Sequence, residues 1–424
     1  MAIRSDALVN NNKKKRPVRI AAIGLGNRTR KYLQYVGGHP DEAVLSMIVE
    51  PDQERRREIR HQFGLSAGDC FASVEDFFAR KRNVDAVIIG TPDDTHFSIG
   101  MSAIEYGYHC LLEKPVAQTE EQCIELTDAA RRKGVIVSVC YVLRYHPFYM
   151  KLKEIVSNGE LGPVISVNHI ENVGLDRMTH SYVRGVWGNS EASCPIFLSK
   201  CCHDVDVLLW ITGKKPKRLY SFGSLNWFRK ENAPSGSTER CIDCPVEGEC
   251  PFSAVDLYDR RRGWIDNFIV RKGETLDERI ARELKEGRFG RCVYHCDNDV
   301  VDHQTVAVEM EDGTNISITM CAFTHSDKRV TKIECAYGEI LADEQSITID
   351  HFRRNKRDFL NFSEIFNQPL HGNSDLKIVA DFIKAVSDPD NNQVRCPIED
   401  ALESHRVCFK AEESRLSGRM MELR

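Results

Sequence analysis

The sequence predicts an α/β protein in two parts. The first is a doubly wound parallel sheet, and the second pairs helices with a large, open, mostly antiparallel sheet. Three observations carry this. Apolar runs of strand length alternate with helical stretches up to about residue 143. A glycine turn, Gly24-Leu25-Gly26, follows the first run. Beyond residue 150 the runs are joined by hairpin turns instead of helices. Parallel neighbours need a helical crossover, whereas antiparallel neighbours need only a tight turn, so the two patterns separate two sheets.

In the first part, Val18–Ala22 is the first strand and Ala43–Val49 the second, ending in the acid Glu50. Ser73-Val74-Glu75-Asp76 starts a capped helix. Val84–Gly90 and Tyr108–Leu112 are further strands. Thr119-Glu120-Glu121-Gln122 opens the next helix as a capping box, and Gly134 closes it. Val135–Tyr141 is the last strand of this set. In the second part, Val164–Glu171 reads as a strand and Val205–Thr212 as a helix. Thr305–Met310 and Asn315–Thr319 flank the turn Glu311-Asp312-Gly313-Thr314. Lys332–Tyr337 and Glu339–Asp343 are further strands. The polar stretch from about 226 to 302 breaks the pattern and reads as an insertion.

Composition excludes several classes. The 424 residues carry 58 Lys+Arg against 63 Asp+Glu, a net charge of −5, which leaves no general basic face for nucleic acid. No apolar run reaches the ~18 residues of a membrane span. Residues 1–16 are polar and end in Lys13-Lys14-Lys15-Arg16, so they are expected to form a disordered tail. They lack the apolar core of a secretory signal, and the chain is expected in the cytoplasm. Its cysteines are then expected to be reduced and mostly buried.

Within strand, glycine turn, helix, strand and acid, the glycines become interpretable. Gly24 allows the tight turn, and Gly26 lets the backbone approach a pyrophosphate at the next helix N-terminus. A carboxylate at Glu50 accepts ribose hydroxyls and repels a 2′-phosphate, which favours NAD over NADP. Thr29 occupies the third glycine position, so the helix is expected to stand slightly further from the strand.

Three more segments identify a family: Gly90-Thr91-Pro92-Asp93-Asp94-Thr95-His96, then Glu113-Lys114-Pro115, then Lys200-Cys201-Cys202-His203-Asp204-Val205-Asp206. With Gly24-Leu25-Gly26-Asn27-Arg28 they resemble the Gfo/Idh/MocA oxidoreductases over nearly the whole chain. The resemblance implies a Rossmann domain at 17–143. It also implies a substrate and oligomerisation domain at 144–424, and a homodimer or homotetramer. The implied activity is NAD-linked hydride transfer at a hydroxyl carbon of a sugar, glycoside or cyclitol. Some relatives are instead glycosidases or lyases that oxidise the sugar transiently, with no net NADH. That alternative stays open, as does a non-catalytic dinucleotide-binding protein.

The resemblance places Gly24, Gly26, Asn27, Arg28, Glu50, Thr91, Pro92, Asp94, His96, Glu113, Lys114 and Arg144 on the cofactor side. Lys114 follows a strand end, where ligands of such sheets bind, and its ammonium suits a developing alkoxide. His203 is the candidate base, since an ordinary histidine titrates near neutrality. Family members commonly carry Asp four positions before this histidine, and here Ser199 stands there. Lys200 beside it is therefore a candidate to bind the substrate hydroxyl or to keep His203 neutral by repulsion. A salt bridge is the plainer role for Lys200. Tyr145, His146, His180, Arg184, Trp187 and Asp204 are candidate substrate contacts. Packing, capping and interdomain ion pairs remain open for all of them.

Cys241, Cys244 and Cys250 form a C-x2-C-x5-C run, followed by Cys292 and Cys296. This spacing suits structural zinc, with Cys296 preferred over Cys292 as fourth ligand. An iron–sulfur centre or reduced thiols remain the alternatives.

Overall fold

The computed structural model describes residues 16–265, 268, 273–366, 369–390 and 392–423. The tail up to residue 15 lies outside them. Arg16, expected in that tail, is instead anchored, donating from both terminal guanidinium nitrogens to Asp85 at 2.6 and 2.8 Å.

Among the described residues, six parallel strands form the first sheet. They are β1 (Val18–Ile23), β2 (Ala43–Val49), β3 (Cys70–Phe71), β4 (Ala86–Ile89), β5 (His109–Leu112) and β6 (Val137–Val139). Their order is β3-β2-β1-β4-β5-β6. Strands β1 and β4 are fully or almost fully buried, as a sheet covered by helices on both faces requires. The sequence reversal between β1 and β4 opens the crevice where ligands of such sheets sit. The helices start and stop on their local signals. Ser73 accepts from Asp76 N, Thr119 accepts from Gln122 N, and Gly134 ends its helix at φ +64°. The capping box at Thr119 is only half formed, because the Gln122 side chain accepts from Gln118 N instead of Thr119 N.

The second sheet has nine described strands. They are β7 (Val164–Gly174), β8 (Pro216–Ser224), β9 (His303–Met310), β10 (Asn315–Thr324), β11 (Arg329–Cys335), β12 (Gly338–Ala342), β13 (Ser346–His351), β14 (Lys356–Asn361) and β15 (Met421–Glu422). Their order is β14-β13-β12-β11-β7-β10-β9-β8-β15. Only β7 and β10 pair in parallel. Along β7 burial alternates, with His169 and Glu171 inward and Ile165 and Ile170 outward.

The two domains interlock. The helix Ile398–Ser417 returns to the first domain, where His405 accepts from Val116 N at 2.9 Å and Arg406 pairs with Glu120. The preceding segment bridges to the edge of the first sheet through Ser138 and Pro397. The insertion is pinned at its neck, since one Asp302 carboxylate oxygen accepts from both Asn226 N and Trp227 N. It carries a separate small core around Leu257, Tyr258, Ile280 and Leu284.

Candidate active site

The glycine turn fits a dinucleotide. Gly24 sits at φ +79°, and a Cβ there would lie 2.8 Å from the Gly90 carbonyl oxygen. A Cβ on Gly26 would meet nothing nearer than 4.0 Å, so the backbone is open to an approaching ligand. The helix Asn27–Gly38 begins at Gly26 with no side-chain cap and no acid in its first turn. Its first N–H groups and dipole therefore favour an anion. Thr29 packs its hydroxyl against Gly90. A Cβ on Gly90 would stand 2.2 Å from Thr29 Oγ1, so the absent side chain on β4's exit makes the room. Glu50 ends β2 beside this turn and accepts from Leu25 N at 2.7 Å and Asp52 N at 3.0 Å.

Several residues assigned to the cofactor hold the protein instead. Arg28 donates to Glu113 at 3.0 Å and to Asp375 at 2.6 Å, so its guanidinium ties the nucleotide helix to the second domain. Glu113 also accepts from Tyr32. Arg144 is bidentate on Asp206 at 2.9 and 2.7 Å and adds Asp400 at 2.7 Å, which commits every branch of its fork. His96 is buried between the carbonyls of Pro115 and Thr91, at 2.7 and 3.0 Å. It fixes the Thr91 turn against the loop after Lys114. Asn27, Thr91, Pro92 and Asp94 remain solvent-accessible around the crevice.

Lys114 and His203 converge through Ser199. The Lys114 ammonium donates to the Ser199 carbonyl at 2.6 Å. Ser199 ends the short helix Ile196–Ser199, and His203 lies in the first turn of the next helix, Cys202–Thr212. The His203 ring packs edge-on against Tyr141, and its buried Nδ1 has no hydrogen-bond partner. Burial, then the charges of Lys114 and Arg329, push its pKa well below the usual histidine value. The ring is thus neutral at physiological pH. Lys200 also repels a proton here, but less than Lys114 and Arg329 do.

Behind this pair lies a buried charge network. Lys200, a candidate to bind the substrate hydroxyl, forms an ion pair with Glu171, the plainer of its expected roles. Arg329 bridges Glu171 at 2.7 Å and Asp204 at 2.5 Å. His169 hydrogen-bonds with Asp204 at 3.1 Å. Burial, reinforced by Asp204, raises the Glu171 pKa. Asp204 resists the same burial, because Arg329 and the His169 hydrogen bond hold it well below the usual carboxylate range. Asp204, expected as a substrate contact, is fully buried and pairs with His169 and Arg329 in this network. His169, Glu171 and Asp204 approach one another as metal ligands do, yet Lys200 already pairs with Glu171 Oε1 and Arg329 with Asp204 Oδ1.

Four other expected substrate contacts lie elsewhere. Tyr145 hydrogen-bonds to Asp381 at 2.5 Å and lines a groove with Arg16 and Tyr35. His146 caps the helix Pro147–Ser157 through its Nδ1. The segment Met178–Arg184 is a buried π-helix and not a polar loop. Within it, His180 stacks on Phe289 at 4.4 Å and bonds to Tyr258 at 3.0 Å. Arg184 donates to the carbonyls of Arg291 and Phe252. Both side chains serve the insertion. Trp187 does reach the interdomain space. It lines a cavity of about 540 Å³ with Thr91, Pro92 and Asp94, and donates to Asp93 at 2.9 Å. Sequence reasoning passed over Asp93, which also accepts from Ser193, and over Arg329 and Glu171. Nothing local marks them, because their partners are far away in the chain.

The comparisons agree with this fold. Residues 18–141 match the oxidoreductase family model for the NAD-binding Rossmann fold, and residues 153–423 match the model for its C-terminal α/β domain. The chain belongs to the Gfo/Idh/MocA oxidoreductase family. It is 23% identical over 250 residues to the oxidoreductase YteT of Bacillus subtilis, covering 58% of this chain and 57% of that one. It is 24% identical to inositol 2-dehydrogenase of Corynebacterium glutamicum, covering 47% and 55%. The chain thus spans about half the length of the curated relatives it matches. Among solved structures, it superposes on an oxidoreductase from Agrobacterium radiobacter in complex with NAD+, L-tartaric acid and magnesium. There the TM-score is 0.70 at 14% identity, covering 96% of this chain and 98% of that one. The WlbA dehydrogenase of Bordetella pertussis, in complex with NADH and UDP-GlcNAcA, gives 0.69 at 16% identity, with 96% and 98% covered. No helix among the described residues is long and apolar enough to cross a membrane.

Proposed function

We propose that this chain is an NAD-dependent dehydrogenase acting on a hydroxyl carbon of a sugar, glycoside or cyclitol. The observation that carries the reading is the meeting of Lys114 and a neutral His203 across Ser199, at the crevice of a dinucleotide-binding sheet. Bound NAD accepts the hydride. Lys114 donates a hydrogen bond to the reacting oxygen and stabilises negative charge as it develops. His203 takes the hydroxyl proton on a ring nitrogen. The charges of Lys114 and Arg329 keep that nitrogen unprotonated beforehand and favour release of the proton afterwards.

The outer face of the second sheet carries Ile165, Phe222, Leu341 and Phe359, each more than half exposed. An apolar face of this kind favours self-association, so a homodimer or homotetramer is part of the proposal. Light scattering of the purified chain tests it.

The test of function is turnover at neutral pH with NAD against cyclitols, free sugars and aryl glycosides, following NADH and aglycone together. NADH without aglycone release is expected. Aglycone release that requires NAD yet leaves no net NADH would replace this reading with the glycosidase or lyase.

A further inference from the structure

The cysteines of the insertion are brought together by its backbone. Arg240 and Arg291 form an antiparallel bridge, and Cys292 N donates to the Glu239 carbonyl at 2.9 Å. Cys241 and Cys292 therefore lie diagonally across this bridge, on the same face of it. Tight turns present two others, with Cys244 N on the Cys241 carbonyl and Cys250 N on the Glu247 carbonyl. Cys292 and Cys296 both lie near enough to Cys241 for their charges to couple, but Cys292 also reaches Cys250, whereas Cys296 turns its thiol back onto the Cys292 carbonyl at 3.2 Å. All five thiols are free.

A second observation points at the same spot. The Arg184 guanidinium is fully buried and pairs with no carboxylate among the described residues. Its Nη2 lies 3.8 Å from the Cys241 sulfur, and its Nη1 has no hydrogen-bond partner. An isolated buried cation is costly unless an anion compensates it. Neutral thiols supply no such charge. Four thiolates on a divalent ion supply a net charge of −2.

We propose that Cys241, Cys244, Cys250 and Cys292 bind one thiophilic metal ion, zinc in the first instance, and that Arg184 is its buried counter-charge. Four thiols lose four protons to solvent and form four sulfur–metal bonds, with no change of oxidation state. The structure thus moves the fourth ligand from the expected Cys296 to Cys292. Among the described residues, no three of these sulfurs lie within 4.8 Å of one another. Zinc–sulfur bonds of about 2.3 Å need closer sulfurs, so binding turns the side chains inward on backbones already placed. The function is to staple an insertion whose own core is small.

The test is metal analysis of the full chain, expressed in medium supplemented with zinc and with iron. About one equivalent of zinc per chain is expected. Alkylation should then report about four more reactive thiols after chelation than before. Cys244→Ser and Cys292→Ser should lose the metal, Cys296→Ser should keep it, and Arg184→Gln should bind it more weakly. Iron with acid-labile sulfide would keep the thiolate centre and overturn zinc as its occupant. Less than about a tenth of an equivalent of any metal in folded wild type would overturn the centre outright. Loss in Cys296→Ser but not in Cys292→Ser would overturn the ligand set. None of these outcomes bears on turnover.

Discussion

The Lys114 ammonium donates to the Ser199 carbonyl at 2.6 Å, so a loop of the nucleotide-binding sheet and the turn that presents His203 meet through one hydrogen bond. The contact joins the two domains at the point where a hydroxyl would be oxidised. It also gives the first prediction. Lys114→Met should lower kcat by about 10²–10³-fold, as loss of a preorganised donor does elsewhere. The melting temperature should change little, since Lys114 is only half-buried. Turnover near the wild-type rate would remove Lys114 from the chemistry.

The pH profile follows from His203. In the proposed mechanism its active form is the unprotonated ring, and its pKa lies well below 6.5. The value of kcat/KM should therefore hold through neutrality and fall only in acid. Lys114 is the largest charged contributor to that depression, so Lys114→Met should move the acid limb to higher pH. A limb that stays put in the variant would mean that another group titrates.

Gly90 and Thr29 form a complementary pair. Gly90→Ala should destabilise the first domain by about 1–3 kcal/mol, because its Cβ meets Thr29 Oγ1 at 2.2 Å. Thr29→Ala should restore most of that loss in the double variant, since the remaining Thr29 Cβ contact is 3.5 Å. Urea unfolding midpoints of the four proteins measure this coupling.

Acid should weaken the fold through two buried histidines. Burial, helped by Arg184 and Arg177, lowers His180 to about 4. Burial, helped by Lys114 and His96, lowers His405 to about 4 against the Ala401 hydrogen bond. Both folded values lie below the ordinary 6.5, so the stabilisation is complete above pH 6.5 and is lost as pH falls through 4. Each contributes on the order of 3 kcal/mol. Melting curves between these limits should show the decline. His180→Phe should flatten part of it.

The proposed preference for NAD rests on Glu50. Glu50→Gln removes the charge that repels a 2′-phosphate, so use of NADP relative to NAD should rise. An unchanged ratio of kcat/KM values would place the discrimination elsewhere.

The two-sheet architecture was legible because it rests on local signals. Alternating apolar runs, a glycine turn, capping residues and a strand-end lysine lie close together in sequence. The same reasoning did not reach the protein partners of Arg28, Arg144, His146, His180 and Arg184. Each is an ordinary polar residue whose role depends on what the fold sets against it. Arg144 meets Asp206 and Asp400, and Arg28 meets Asp375, across separations that no local pattern encodes.

By itself, then, the sequence determined the two domains and the nucleotide-binding turn. Only the tertiary structure decided where the charges go. It buried Lys200 on Glu171 and Asp204 under Arg329, and it turned Arg184 away from the cleft toward the cysteines. The physical reason is that strand, helix and turn preferences act over a few residues, whereas a buried charge is settled by whichever partner the folded chain brings within hydrogen-bond reach.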